Sequence, residues 1–135
     1  MKSAVIFGGS GFIGCFFAKH LVDNCGYKKI FLYDHNKIID ASIFKNNLLK
    51  NYEEIIEVSG DVRESIKWQP NEKISLIANF AAVHREPGHE DFEYFHTNLN
   101  GAENVCKWAE EIKCNQIIFS SSIAPYGISS CTKNE

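Results

Sequence analysis

In the stretch GGSGFIG, Gly8, Gly11 and Gly14 recur at three-residue intervals, directly after the apolar run SAVIF (3 to 7) and directly before a segment with helical spacing. Gly8 suits a tight turn off a strand, and Gly14 lets a following helix lie close on a sheet. Gly11 lets the main chain approach a pyrophosphate at the N-terminus of that helix, whose first turn holds Phe12 and Ile13. An ordinary strand-to-helix turn also uses glycine, so the spacing gains its force from the strand before it and the helix after it.

The rest of the chain repeats this alternation. Short apolar runs at 3 to 7, 29 to 33, 55 to 58, 75 to 80 and 116 to 120 are rich in Ile, Val and Phe and have few alternating polar positions. That is the pattern of parallel strands covered on both faces, so five strands are expected. Between them a helix is expected from Phe12 to Asn24, ended by Gly26, and another over 41 to 51, where Asn46, Asn47 and Asn51 lower the helical propensity. A short helical turn is expected after Asp61. The clearest helix runs over 91 to 112, where Phe92, Phe95, Leu99, Ala102, Cys106 and Ala109 form one apolar stripe, with Gly101 a local weakness inside it. Strands alternating with helices predict an α/β fold, a doubly wound parallel sheet of Rossmann type. With 135 residues, 44% of them hydrophobic and 13% aromatic, the chain can fill the core of one domain over 1–135.

Twenty residues past Gly14, at the end of the second expected strand, stands Asp34. A carboxylate there accepts hydrogen bonds from adenosine ribose hydroxyls and repels a 2′-phosphate, which predicts NAD rather than NADP. The same residue also suits a turn with His35 and Asn36. A formal charge of -3, from 14 Lys and Arg against 17 Asp and Glu, argues against a nucleic-acid surface or a basic membrane patch. The five cysteines, odd in number and without a C-x-x-C pair, argue against a disulfide framework or structural zinc and read as reduced thiols of a cytoplasmic protein. His20, His35, His89 and His96 lack metal-ligand spacing, so no metal is expected. Glycines break the first apolar run too early for a signal peptide, and no stretch is long enough to span a bilayer.

Five ordered motifs resemble the extended short-chain dehydrogenase/reductase superfamily, and within it the NAD-dependent epimerases and dehydratases of nucleotide sugars. They are GGSGFIG, GDV at 60 to 62, NFAAVH at 79 to 84, TNLNGAENV at 97 to 105 and FSSSIAPYG at 119 to 127. The resemblance covers essentially the whole chain. It implies that the Asp61 side chain holds the adenine amino group and that Val62 offers its backbone. It further implies that Phe80, Ala81 and Ala82 run along the cofactor, with His84 near its ribose or phosphate, and that Asn98 is a buried polar brace. Ser120 falls on a cofactor-side position, and Ser122 on that of the catalytic Ser/Thr that bonds the substrate during hydride transfer. Read from the residues alone, Asn98 also suits a helix asparagine bonded to a neighbouring strand, and a serine run suits turn formation. The segment REPGHED at 85 to 91 reads as a charged loop leading into a capped helix.

One part of the pattern is broken. The resemblance implies a Tyr-x-x-x-Lys base after the serine strand, yet Tyr126 is followed at that spacing by Ser130, and Lys133 is out of register. The only match, Tyr33 to Lys37, lies at the adenosine end and reads as accidental. The expectation is therefore a cofactor half without its substrate lobe, from a truncated gene product or a fragment, able to bind NAD but not to turn over a nucleotide sugar. Two alternatives remain open: a non-catalytic NAD-binding sensor or regulatory module, and an interaction protein forming a homodimer through the stripe at 91 to 112.

Overall fold

From Ser3 onward, β1 (Lys2–Phe7) is buried on both faces. Ala4 and Ile6 join one apolar cluster and Val5 and Phe7 the other. A strand that is apolar at consecutive positions needs cover on both sides, and the remaining elements supply it. The structure is a computed structural model that describes residues 1–37, 43–84 and 88–122. β2 (Tyr27–Asp34), β3 (Ile55–Ser59), β4 (Leu76–Asn79) and β5 (Ile117–Phe119) join β1 in one parallel sheet of order β3-β2-β1-β4-β5. Phe7 pairs with Tyr33 and Asn79, Asn79 with Phe119, and Asp34 with Ser59, so the strands end at a common level. The order reverses between β1 and β4, and a crevice for a ligand lies outside the strand ends at such a switch point.

α1 (Phe12–Cys25) buries Gly14, Cys15, Ala18 and Leu21 on one face and ends where Gly26, at φ 70°, donates its N–H to the Leu21 carbonyl. α2 (Ile43–Leu49) covers the same face of the sheet through Leu49. The helix expected from 41 is thus seen from Ile43, and residues 38–42 lie outside the described part of the chain. After Asp61 there is one hydrogen-bonded turn, Glu64 N–H to the Asp61 carbonyl, in place of the expected helical turn. The chain then runs irregularly to β4, and Val62, Ile66, Trp68 and Ile74 fill the second apolar cluster from this segment.

The helix expected over 91 to 112 is one rod with a changed pitch: α3 (Asp91–Tyr94), a π-helical turn (Phe95–Asn100) and α4 (Gly101–Glu111). Glu90 and Glu93 cap its start reciprocally. Of the stripe read from the sequence only Ala109 is buried, so most of it is not the core face. Phe92, Phe95 and Leu99 are 67%, 62% and 56% exposed, whereas Gly101, Val105, Trp108 and Ala109 are buried. Trp108 decides the orientation. Its indole buries more apolar surface than any competitor on the rod, stacks on Trp68 and donates Nε1–H to the Trp68 carbonyl at 2.7 Å. Gly101 faces Val62 so closely that a Cβ would stand 3.0 Å from its Cγ2, so the glycine that weakens the helix locally is what lets it dock.

Candidate functional site

The glycine loop leaves β1 at the switch point. Gly8 has φ 70°, and a Cβ there would stand 2.6 Å from the Ala81 nitrogen, so the loops after β1 and β4 meet with no room for a side chain. A Cβ on Gly14 would stand 2.6 Å from the Gly8 carbonyl oxygen, so α1 also begins pressed against the loop. Gly11 is the N-cap of α1, with no side-chain cap bond and no acidic residue in the first turn. The start of this 14-residue helix thus has neither a side-chain cap nor an acidic residue of its own first turn, an arrangement suited to an anion. Phe12 and Ile13 lie beside it, 64% and 57% exposed.

The end of β2 holds the loop in place. The Tyr33 carbonyl accepts the N–H groups of Gly8 and Gly9. Asp34 accepts the Ser10 N–H on Oδ2 and the Asn36 N–H on Oδ1, both at 3.0 Å. The turn reading of Asp34 therefore holds, and the same carboxylate also braces the glycine loop. Three further contacts were not foreseen: Ser10 Oγ donates to the Asn36 carbonyl, Lys45 Nζ to the Ser10 carbonyl, and Cys15 Sγ to the Gly9 carbonyl. Burial pushes the Cys15 thiol up to about 11, so it stays protonated and acts as a packing donor. A cavity of about 280 Å³ adjoins this corner, lined by Leu32, Asp34, Asn36, Lys37, Glu57, Val58 and Ser59.

At the end of β3, Arg63 grips the Asp61 carboxylate through its backbone N–H and guanidinium. Those hydrogen bonds hold the carboxyl below its usual range. Asn104 Nδ2 donates to the Val62 carbonyl and fixes the backbone there. Beyond β4, the Phe80 ring packs edge-on against Phe17 of α1, and Asn79 Oδ1 accepts the Ala81 N–H. Ala82 and His84 are exposed. Asn98, in the π-helical turn, clamps this loop through both amide atoms: Oδ1 accepts the Val83 N–H at 2.8 Å and Nδ2 donates to the Val83 carbonyl at 2.9 Å. With both atoms so engaged, Asn98 positions the loop. Ser120 continues β5 by donating its N–H to the Asn79 carbonyl, and Ser120 and Ser122 are exposed at that strand's end.

Arg63, Lys45 and Asn104 are the contributors that sequence reasoning missed. Asn104 stands inside the quoted TNLNGAENV stretch, and Arg63 directly follows GDV, so two of the three had a signal. Tyr33 is 5% exposed with its ring against Phe7 and Trp68, and burial and the nearby Asp61 and Glu64 raise its phenol pKa. Those surroundings disfavour a phenolate and fit the reading of Tyr33 to Lys37 as accidental. Tyr126, Ser130, Cys131 and Lys133, with residues 85 to 87, lie outside the described residues. Among the described residues Cys15, Cys25, Cys106 and Cys114 are free thiols, no group of three or more His, Cys, Asp or Glu could hold a metal, and no helix is long and apolar enough to cross a membrane.

A five-stranded parallel sheet with helices on both faces and a glycine loop at its switch point defines a doubly wound α/β protein of Rossmann type. The chain belongs to the NAD dependent epimerase/dehydratase family, whose profile matches residues 4–135. Among curated proteins it is 26% identical over 139 residues to an uncharacterized protein of Methanocaldococcus jannaschii, covering 93% of this chain and 41% of that one. Among solved structures it is similar to a UDP-galactose 4-epimerase (TM-score 0.76, 23% identity, 96% of this chain and 41% of that one). It is also similar to the dTDP-glucose 4,6-dehydratase of Bacillus anthracis, solved with NAD (0.76, 18%, 100% and 42%). A third is the UDP-glucuronic acid 4-epimerase of Bacillus cereus, solved with UDP-glucuronic acid and NAD (0.76, 20%, 98% and 44%). At these identities the likeness to solved structures is one of fold. The chain spans about two fifths of the length of these relatives.

Proposed function

We propose that this chain is the NAD-binding part of a nucleotide-sugar epimerase or dehydratase. The observation that carries the reading is the uncapped N-terminus of α1, held at the sheet's switch point by a glycine loop that is itself bonded to Asp34. In this reading the pyrophosphate lies over the first N–H groups of α1, near Gly11, Phe12 and Ile13, and Gly8 and Gly14 keep the crevice narrow. Asp34 accepts from the adenosine ribose, Asp61 from the adenine amino group, and Val62 donates its N–H to the ring. Phe80, Ala81, Ala82 and His84 line the nicotinamide side, and Ser120 flanks the cofactor. Ser122 is the group that bonds the substrate. Family membership and two solved relatives determined in complex with NAD support the cofactor.

When bound, NAD supplies the hydride acceptor and donor for oxidising a sugar carbon and reducing it again. This chain's own residues hold the dinucleotide and offer Ser122. The proton-transferring tyrosine and lysine, and the lobe that reads the sugar, we assign to residues that this sequence does not contain. The share of each relative that is covered, about two fifths, supports that division.

Calorimetric titration tests the proposal. One-to-one binding of NAD, NADP binding much more weakly, and no epimerase or dehydratase turnover by the 135-residue chain are expected. Asp34→Asn should weaken NAD by about ten-fold, the value of a charge-assisted hydrogen bond, and narrow the gap to NADP. Turnover by the chain itself would sink the division of labour, and equal affinity for the two dinucleotides would sink the role of Asp34. A second reading, a homodimer through helix 91 to 112, draws on the exposed Phe92, Phe95 and Leu99.

A further inference from the structure

A loop that holds an anion with N–H groups has to keep its carbonyl oxygens turned away, because an oxygen left facing the crevice repels the ligand. From Gly8 to Gly11 every carbonyl has a donor. Gly8 accepts the Gly11 N–H at 3.1 Å, Gly9 the Cys15 thiol at 3.4 Å, and Gly11 the Cys15 N–H at 3.0 Å. The Ser10 carbonyl differs from these, since its donor comes from outside the loop and α1: it is Lys45 Nζ of α2, at 2.9 Å. The other polar groups of Ser10 are engaged as well. Its N–H donates to Asp34 Oδ2 at 3.0 Å and its Oγ to the Asn36 carbonyl at 2.6 Å. Ser10 is 3% exposed, and a buried carbonyl deprived of its donor turns toward water, which here means toward the crevice.

We infer that Lys45 is a positioning residue that holds the Ser10 carbonyl away from the crevice and keeps the glycine loop in the shape that admits a pyrophosphate. The inference rests on the reading of the α1 start as the pyrophosphate site. Lys45 reaches the loop from a helix that is itself fixed on α1. Leu49 of α2 joins the cluster that contains Cys15, Ala18 and Leu21, and just beyond α2 the Tyr52 hydroxyl accepts from Lys19 Nζ at 2.7 Å and donates to Asp23 Oδ2 at 3.1 Å. Lys45 and Asp34 both act on the Cys15 thiol. Burial raises that thiol most, Lys45 opposes the rise and Asp34 adds to it, so both charges lie close to the loop. They are joined through the carbonyl and the N–H of Ser10. The ammonium thereby also offsets part of the Asp34 charge, which repels an anionic ligand. Its contact bears on the diphosphate rather than on the base or the sugar, so its loss is felt by ligands that carry phosphate.

The experiment measures NAD by calorimetry and adenosine by NMR titration on the full 135-residue chain, with hydrogen exchange of the unliganded chain, for the wild type, Lys45→Met and Lys45→Arg. Methionine keeps the length and helical propensity of lysine without its charge. In Lys45→Met, NAD should weaken about ten-fold, the value of a charge-assisted hydrogen bond, while adenosine changes by less than about two-fold. The Ser10 and Gly11 amides should exchange about ten-fold faster, and those of Ala4 to Ile6 in β1 should keep their protection, which shows that the variant is folded. Arginine retains the charge and a donor, and should bring NAD back to within about three-fold of the wild type. Unchanged NAD affinity in Lys45→Met overturns the inference. A loss of NAD affinity with unchanged exchange at Ser10 overturns the positioning role in favour of charge alone, and equal losses for NAD and adenosine overturn the link to the pyrophosphate. A wild-type chain that binds no dinucleotide overturns the proposed function, and exchange in the unliganded chain then decides by itself whether Lys45 holds the loop.

Discussion

At Gly8 the chain turns with φ 70°, and a methyl group there would stand 2.6 Å from the Ala81 nitrogen and 2.7 Å from the Phe80 carbonyl carbon. Neither neighbour is a flexible side-chain end, so alanine can be accommodated only by moving β4's loop. Positive φ in a non-glycine residue costs about 1–3 kcal/mol, and the contact adds to it. Gly8→Ala should therefore lower stability by at least about 2 kcal/mol, read as a lower urea midpoint at unchanged slope in the fluorescence of Trp68 and Trp108. These two rings stack in the core, so their emission reports global unfolding. A midpoint equal to that of the wild type would mean that the loops after β1 and β4 are not in contact. Asp34 illustrates the opposite economy, with one carboxylate serving a turn and the glycine loop through separate oxygens. Replacing it therefore disturbs the loop as well as any ribose contact, which is why the dinucleotide ratio, rather than the absolute affinity, reads its role.

Among the elements, the strands were the most legible. Consecutive apolar residues such as Val5, Ile6 and Phe7 require cover on both faces, and that requirement is local enough to read along the chain. α1 was legible for the same kind of reason, because its end is set by Gly26. The rod from Asp91 to Glu111 was legible in extent but not in its core face. Its sequence carries two apolar faces, and choosing between them depends on Trp68, Val62 and Val83, which are distant in the chain and on no regular element. The same dependence hid Lys45, whose Nζ reaches the Ser10 carbonyl across the loop, whereas Arg63 stands only two residues from its partner Asp61. The π-helical turn is where the rod adjusts, and Asn98 pins it to Val83. Asn98→Ala should remove both bonds and cost about 1–3 kcal/mol. In hydrogen exchange the Val83 amide should lose protection selectively while amides of β1 and β2 keep theirs. Unchanged protection at Val83 would mean that the clamp is not made in solution.

Taken as a whole, the molecule keeps large apolar side chains in contact with water in separate places. Phe12, Ile13 and Phe16 lie along the start of α1, Ile118 and Phe119 on the edge strand β5, and Phe92, Phe95 and Leu99 along the rod. Scattered exposed hydrophobic residues are normal, but Phe92, Phe95 and Leu99 follow one another at helical spacing opposite a face that is already packed. A stripe of that kind is self-complementary about a two-fold axis, because the same residues can meet their own copies. If the proposed homodimer forms through it, sedimentation should show a mass that rises with concentration. Phe95→Glu combined with Leu99→Glu should hold the chain as a monomer over the same range, because pairing would then bury charges of like sign. Both positions are already more than half exposed, so the double variant should keep the wild-type stability to within about 0.5 kcal/mol in urea unfolding. That separation of effects is what makes the test decisive. A wild-type chain that stays monomeric at high concentration removes the homodimer, and a double variant that still associates moves the contact to another surface, with the edge of β5 the next to be charged.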